Sequence, residues 1–168
     1  MFAIFLAAIL FMRGVELWIA RRNRQWLLRR GAVEYGRRHY PVIVGMHVAF
    51  YVSLVSERVI LSRPWDPLWP AWLALLLSAG IVRAWLMTAL GRFWNTRILI
   101  VPGSRPIRTG PYRFVRHPNY IVVAVEILAI AMICGAYITA AVFSILNALV
   151  LRVRVREEER ALRTLERS

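Results

Sequence analysis

The chain has no lysine. All 23 of its basic residues are arginine, against nine acidic ones, for a formal net charge of +14. A uniform preference for arginine reflects codon usage before it reflects a function. There is one cysteine, Cys134, and it lies inside an apolar run. An internal disulfide is therefore excluded, no metal-binding spacing surrounds it, and it reads as a small core residue. The three histidines are scattered, and no HExxH, Walker A loop, GxGxxG after a strand or GxSxG occurs. These absences argue against a zinc hydrolase and against a soluble nucleotide-binding fold.

What the chain does have is apolar sequence. Of its 168 residues 59% are hydrophobic, and the mean hydropathy is +0.52. Soluble domains average about 45–50% apolar residues. The excess falls in long runs, which places the chain in the membrane class. The expected fold is an all-α integral membrane protein of five transmembrane helices, one membrane-embedded domain over residues 1–168. Spans are expected at about 1–20, 41–61 and 68–90, followed by a tight helical hairpin of 118–134 and 136–153 with its tip at Cys134-Gly135-Ala136. At ~1.5 Å per residue each hairpin arm would reach only ~20–25 Å, short of the ~30 Å hydrocarbon core. The first run has no basic region ahead of it and no small-residue cleavage site, so it reads as a span rather than a removable signal peptide.

The arginines give an orientation. Seven lie in 21–40, six in 91–120 (Arg92, Arg97, Arg105, Arg108, Arg113 and Arg116) and six from Arg152 onward, whereas the connection near 62–67 carries one arginine and one aspartate. Five helices with the N-terminus outside and the C-terminus cytoplasmic put every basic segment on the cytoplasmic side. The same placement between apolar runs argues against nucleic-acid binding. The connection 91–120 is long and punctuated by turns, and long ordered loops are usually functional.

Two polar segments could carry chemistry. In Arg116-His117-Pro118-Asn119-Tyr120, Pro118 biases His117 away from helical geometry and suits the first turn of a helix. The free N–H groups and positive dipole end of that helix would favour an anion. An interfacial anchor is the alternative, because tyrosine, histidine and arginine settle at headgroup level. The second segment, LRVRVREEERAL from Leu151 to Leu162, places Arg154 and Glu158, and Glu159 and Arg163, at i, i+4. It is either a solvated, ion-paired helix end or the source of an arginine and a glutamate for a shared surface site. Charges inside the spans must face a cavity or a partner. Glu126 lies about two turns into the fourth run and cannot easily snorkel; Arg83 could pair with it, and both are candidates for contact with a substrate. Glu57 and Arg58, near the opposite interface, read as structural, and His47 reads as a packing residue.

The two segments together resemble the isoprenylcysteine carboxyl methyltransferase family of integral membrane methyltransferases. Those enzymes carry RHPxY before a helical hairpin and RxRxxEE after it. Here RHPNY precedes a 30-residue apolar hairpin and RVRVREEERAL follows it, and the resemblance covers residues 92–163. A bacterial branch related to alkylpyrone methyltransferases is closer still: it places a glutamate after RHPNY and an apolar stretch, here Glu126, and FWNTRILIVPG (Phe93–Gly103) looks like it as well. The resemblance implies an S-adenosyl-L-methionine-dependent O-methyltransferase in the bacterial inner membrane. Its acceptor would be a lipophilic small molecule from the bilayer, with an alkylpyrone-type hydroxyl or an isoprenylcysteine-type carboxylate. Its site would be built on the cytoplasmic side from residues 91–120 and 152–168. A type III polyketide synthase is implied as a pathway neighbour, with membrane lipids as the surroundings. Carried over by position, Arg116, His117, Pro118, Asn119, Tyr120, Glu158 and Glu159 would bind the cofactor, Glu159 most directly, and Arg154 would be catalytic. Two departures stand out. Ile121, Val122 and Val123 follow the signature where many relatives place glycine, and no FGxxYxxY-type extension follows the acidic run. A membrane NAD(P)H-dependent reductase of related fold and a non-enzymatic small membrane protein are the alternative readings.

Overall fold

The computed structural model describes residues 1–104, 107 and 109–165, without the side chains of Thr164 and Leu165. Arg105 and Arg108 of the basic connection, and the tail beyond 165, lie outside the described residues. Five helices account for most of the chain: α1 (Phe2–Leu28), α2 (Tyr40–Ile60), α3 (Trp69–Leu90), α4 (Pro118–Ile133) and α5 (Tyr137–Leu165). Two short strands, β1 (Val33–Tyr35) and β2 (Ile98–Ile100), pair antiparallel with Glu34 opposite Leu99. This ribbon, three residues a side, departs from the all-α expectation; it is too short to show a strand period in the sequence.

Among the described residues four helices, α1, α2, α3 and α5, are long and apolar enough to cross a membrane. The fourth helix falls short: its 16 residues extend about 24 Å. Its far end does not have to reach the bilayer surface, because the α2–α3 connection folds over it. The Asp66 N–H donates to the Ile133 carbonyl at 3.3 Å, and Asp66 accepts from the Tyr137 hydroxyl at 2.7 Å. By contrast α5 runs unbroken for 29 residues, about 44 Å, roughly twice the arm length expected, since no glycine or proline follows Gly135 to stop it. For the same reason α1 continues eight residues beyond Ala20, until Gly31 adopts φ +78°.

The hairpin tip falls where the sequence places it. Gly135 has φ +66°, a left-handed conformation that glycine adopts without penalty. The Gly135 N–H donates to Met132 and the Ala136 N–H to Ala131, both at 2.9 Å, the paired closure of a Schellman turn. Glu57 completes this end of the bundle, accepting from the N–H groups of Ile138 and Thr139 at 3.0 and 2.7 Å and from the Thr139 hydroxyl at 2.7 Å. It satisfies first-turn donors of α5 that have no helical partner. The core lies on α2, α4 and α5, where Phe50, Leu54, Ile127, Ile130, Ile133, Cys134 and Phe143 are buried together. Cys134 is a core residue, fully buried.

At the opposite end the arginine-rich segments gather. The Asn23 amide of α1 donates to the Trp94 carbonyl at 2.8 Å, and the Asn95 amide donates back to Ala20 at 2.9 Å. His39 meets the Val150 carbonyl at 3.2 Å. Four chain segments are thus tied at this end.

A Cβ at position 135 would run into the carbonyl oxygen of Pro64. Gly135→Ala is therefore expected to lower stability by about 1–3 kcal/mol, read as the thermal unfolding midpoint in detergent. Gly31→Ala shares the positive φ but has open space around it and should cost no more than about 1 kcal/mol.

Candidate functional site

Pro118 opens α4, and His117 before it sits at φ −129°, ψ 57°, outside helical geometry as the proline requires. From the tip at Gly135, α4 and α5 run antiparallel, so the start of α4 returns opposite the charged half of α5. Five side chains meet there. The Tyr120 hydroxyl donates to a Glu158 carboxylate oxygen. Arg154 Nε donates to the Tyr120 oxygen at 3.3 Å, and its Nη2 to the Thr96 carbonyl at 2.9 Å. His117 Nδ1 lies 3.3 Å from Glu158, and its Nε2 3.6 Å from Glu159. The His117 and Tyr120 rings stack with centroids 5.6 Å apart and 20° between planes.

The expected Arg154–Glu158 pairing along the helix surface gives way to these contacts across the hairpin. Glu157 and Arg160 form an exposed helix pair at 2.9 Å. Of the two carried-over glutamates, Glu158 holds Tyr120 and His117, while Glu159 approaches only His117. Pro118 is buried and Arg116 is exposed, away from the cluster. Asn119 turns inward, its Oδ1 accepting from Arg83 Nη1 at 3.4 Å.

The β ribbon supports the α5 side of the site. Glu34 on β1 binds Arg97 and Arg24. Arg97 lies 4.0 Å over the Tyr40 ring, and the Tyr40 hydroxyl shares a hydrogen bond of 3.3 Å with the Thr96 side chain. The carbonyl that holds Arg154 is thereby fixed. None of this was visible in the sequence, because the strands are short and the two halves of the ribbon lie some 65 residues apart. Groups around this site titrate away from their ordinary values. The hydrogen bond that His117 donates to Glu158 raises it above the usual histidine value, and the Glu158 and Glu159 charges reinforce this against burial. Burial, with the Glu158 charge, pushes the Tyr112 hydroxyl up to about 12, so Tyr112 stays protonated at neutral pH.

Deeper in the bundle is a second polar cluster. Both oxygens of Glu126 are held by Arg83, and one also by Arg13 at 2.8 Å. Arg13 reaches Glu16 at 2.8 Å, and Arg83 lies 3.5 Å from Glu16. The Arg83–Glu126 pair expected from the sequence is present, but as half of a four-charge knot joining α1, α3 and α4. Arg13 and Glu16, both in the first apolar run, are the other half. On α5, Asn147 is 1% exposed, and among the described residues its Oδ1 has no hydrogen-bond partner. His47 on α2 spends Nδ1 on the Ile43 carbonyl at 2.8 Å.

A model of the isoprenylcysteine carboxyl methyltransferase (ICMT) family matches residues 72–164, which include both halves of this site. The chain is 43% identical over 162 residues to an uncharacterized protein, YpbQ, of Bacillus subtilis, covering 96% of each chain. It is 31% identical over 157 residues to an uncharacterized protein of Haemophilus influenzae, covering 93% of this chain and 91% of the relative. It is also similar to the nickel-cobalt-cadmium resistance protein NccN of Alcaligenes xylosoxydans xylosoxydans, with 30% identity over 115 residues, 66% of this chain and 52% of that one. No solved structure matches.

Removing one partner of a buried ion pair costs about 3–5 kcal/mol, while replacing the pair by apolar residues is often nearly neutral. Arg83→Met is expected to show the first effect and Arg83→Met with Glu126→Leu to recover most of it, measured as unfolding midpoints in detergent. For His117 the folded-state value is the raised one. Its contribution to stability is complete below its ordinary value of about 6.5 and is lost as pH rises through the raised value. A histidine NMR titration should place His117 above that ordinary value, and Glu158→Gln should bring it down.

Proposed function

The chain belongs to the isoprenylcysteine carboxyl methyltransferase family, and from that premise we propose that it is an S-adenosyl-L-methionine-dependent O-methyltransferase of lipophilic acceptors. The observation that carries this reading is the meeting of His117 and Tyr120 with Arg154, Glu158 and Glu159, 34 or more residues further along the chain. The acceptor is an alkylpyrone-type hydroxyl or an isoprenylcysteine-type carboxylate.

The residues present suit such a cofactor. Among the described residues His117 Nε2 is buried with no hydrogen-bond partner, Glu159 lying 3.6 Å away, and the first turn of α4 has no side-chain cap. These donors, with the helix dipole, would receive the carboxylate of an amino acid. Glu158 and Glu159 are the acceptors for an ammonium group or ribose hydroxyls. S-adenosylmethionine supplies an electrophilic methyl group on a sulfonium.

The remaining chemistry belongs to the chain. A carboxylate or an acidic enol is already ionised near neutral pH, so the site needs a cation to hold and aim the anion more than it needs a strong base. Arg154 offers a planar fork of donors for it. Its Nε and Nη2 are anchored on Tyr120 and Thr96, which fixes the guanidinium before an acceptor arrives. Holding the reacting atoms in line supplies much of the acceleration. The apolar tail of the acceptor would lie between helices, with Asn119, Arg83 and Glu126 on its path inward. In this reading one membrane-embedded domain has its N-terminus outside and its site at the cytoplasmic face of the inner membrane, where the arginine-rich end belongs. A type III polyketide synthase is the enzyme to expect upstream of an alkylpyrone.

Purified protein should bind S-adenosylmethionine by calorimetry, and His117→Ala should weaken binding about tenfold or more, the worth of a charge-assisted hydrogen bond. Arg154→Gln should leave binding within a few-fold but abolish methyl transfer to an alkylpyrone or a prenylcysteine. Absence of cofactor binding, or binding indifferent to His117→Ala, would sink the proposal.

A further inference from the structure

At the arginine-rich end, away from the Tyr120 site, the extension of α1 and the short 3-10 helix Gly91–Phe93 enclose a cavity of about 150 Å³ lined by Arg22, Asn23, Trp26, Arg29 and Arg92. Trp26 is its floor. Arg30 and Arg92 lie 3.9 and 5.4 Å from its ring, and Phe93 meets it edge-on at 5.8 Å. The frame is fixed, since the Asn23 amide is spent on the Gly91 and Trp94 carbonyls. Among the described residues no carboxylate pairs with Arg22, Arg29, Arg30 or Arg92. The nearby acids are committed elsewhere: Glu16 to Arg13 and Arg83, and Glu34 to Arg24 and Arg97.

We infer that this cavity is a binding site for the phosphodiester of an anionic phospholipid. Three guanidiniums converging without a counter-charge fit an oxyanion, and arginine's planar fork matches phosphate. The height selects a lipid as its source. The apolar stretch of α1 ends at Ala20, and Arg22 to Arg29 then climb about 3 to 13 Å along the helix. That range begins in the headgroup layer, which adds about 5–8 Å on each side of the hydrocarbon core, and long arginine stems reach back into it. Trp18, 62% exposed beneath Arg22, would lie beside the acyl chains at the level where tryptophan concentrates. The site is independent of the methyltransferase reading and uses none of its residues.

The test is retention of phosphatidylglycerol or phosphatidylcholine by the full-length detergent-purified protein in native mass spectrometry. Phosphatidylglycerol should be retained preferentially. Arg22→Gln/Arg29→Gln/Arg92→Gln should lose that preference, by roughly fivefold for each arginine removed. The charge-matched Arg21→Gln/Arg37→Gln/Arg38→Gln should change it less than twofold. If the triple variant fails to fold, the exposed Arg29→Gln alone should still show the single-residue loss. Equal losses in the two triple variants would reduce the effect to general surface charge and overturn the proposal. So would displacement of phosphatidylglycerol by millimolar inorganic phosphate, which would mark a site for a free ion, or equal retention of both lipids.

Discussion

The position of everything else follows from a knot of two arginines and two glutamates inside the bundle. Arg13, Glu16, Arg83 and Glu126 sum to zero charge, and each carboxylate is held by at least one guanidinium. An isolated charge at that depth would be too costly to keep. A compensated set is tolerable, but only if α1, α3 and α4 are in register, because a slip of one turn would leave a charge without its partner. Such knots specify an arrangement more than they add stability. Through Asn119, which accepts from Arg83, the knot also reaches the first turn of α4. Tyr120, next to Asn119 in that turn, faces Glu158 and Arg154, and His117 just before the turn faces Glu158.

Local features of the chain were legible where a single residue type dictates the backbone. Pro118 marks the start of α4, Gly135 the tip of the hairpin, and Glu57 an acid at a helix end with structural work to do. Pairing across the bundle was legible only in part. Arg83 and Glu126 stand out because charges in apolar runs need partners, but nothing in periodicity assigns Arg13 and Glu16 to the same knot. The length of α4 misleads for a similar reason. A 16-residue apolar helix looks too short for a bilayer, and the cover provided by the 61–68 connection is a tertiary fact. The choice of Glu158 over Glu159 at Tyr120 depends on the rotation of α5 about its axis, which the β ribbon helps to set.

The arginines divide into separate populations that composition merges. Arg83 and Arg154 are buried, at 5% and 6% exposure, and are held in place by Glu126 and by the Thr96 carbonyl. Arg24 and Arg97 clamp the ribbon through Glu34. Arg22, Arg29, Arg30 and Arg92 stand over aromatic rings or an open cavity. A count of positive charge describes the last group well and says nothing of the first.

The hairpin tip has a mechanical consequence for the far end. Gly135 is the fulcrum of two rods, and Glu158 stands 21 residues along α5 from Tyr137 and its turn, about 32 Å away. A swing of 5° at the fulcrum would carry that carboxylate by about 3 Å, enough to part it from Tyr120. Positional accuracy at the arginine-rich surface is therefore set at the opposite face, by the turn closed on Ala131 and Met132, by the Pro64 backbone pressed against Gly135, and by the Glu57 clamp on the base of α5.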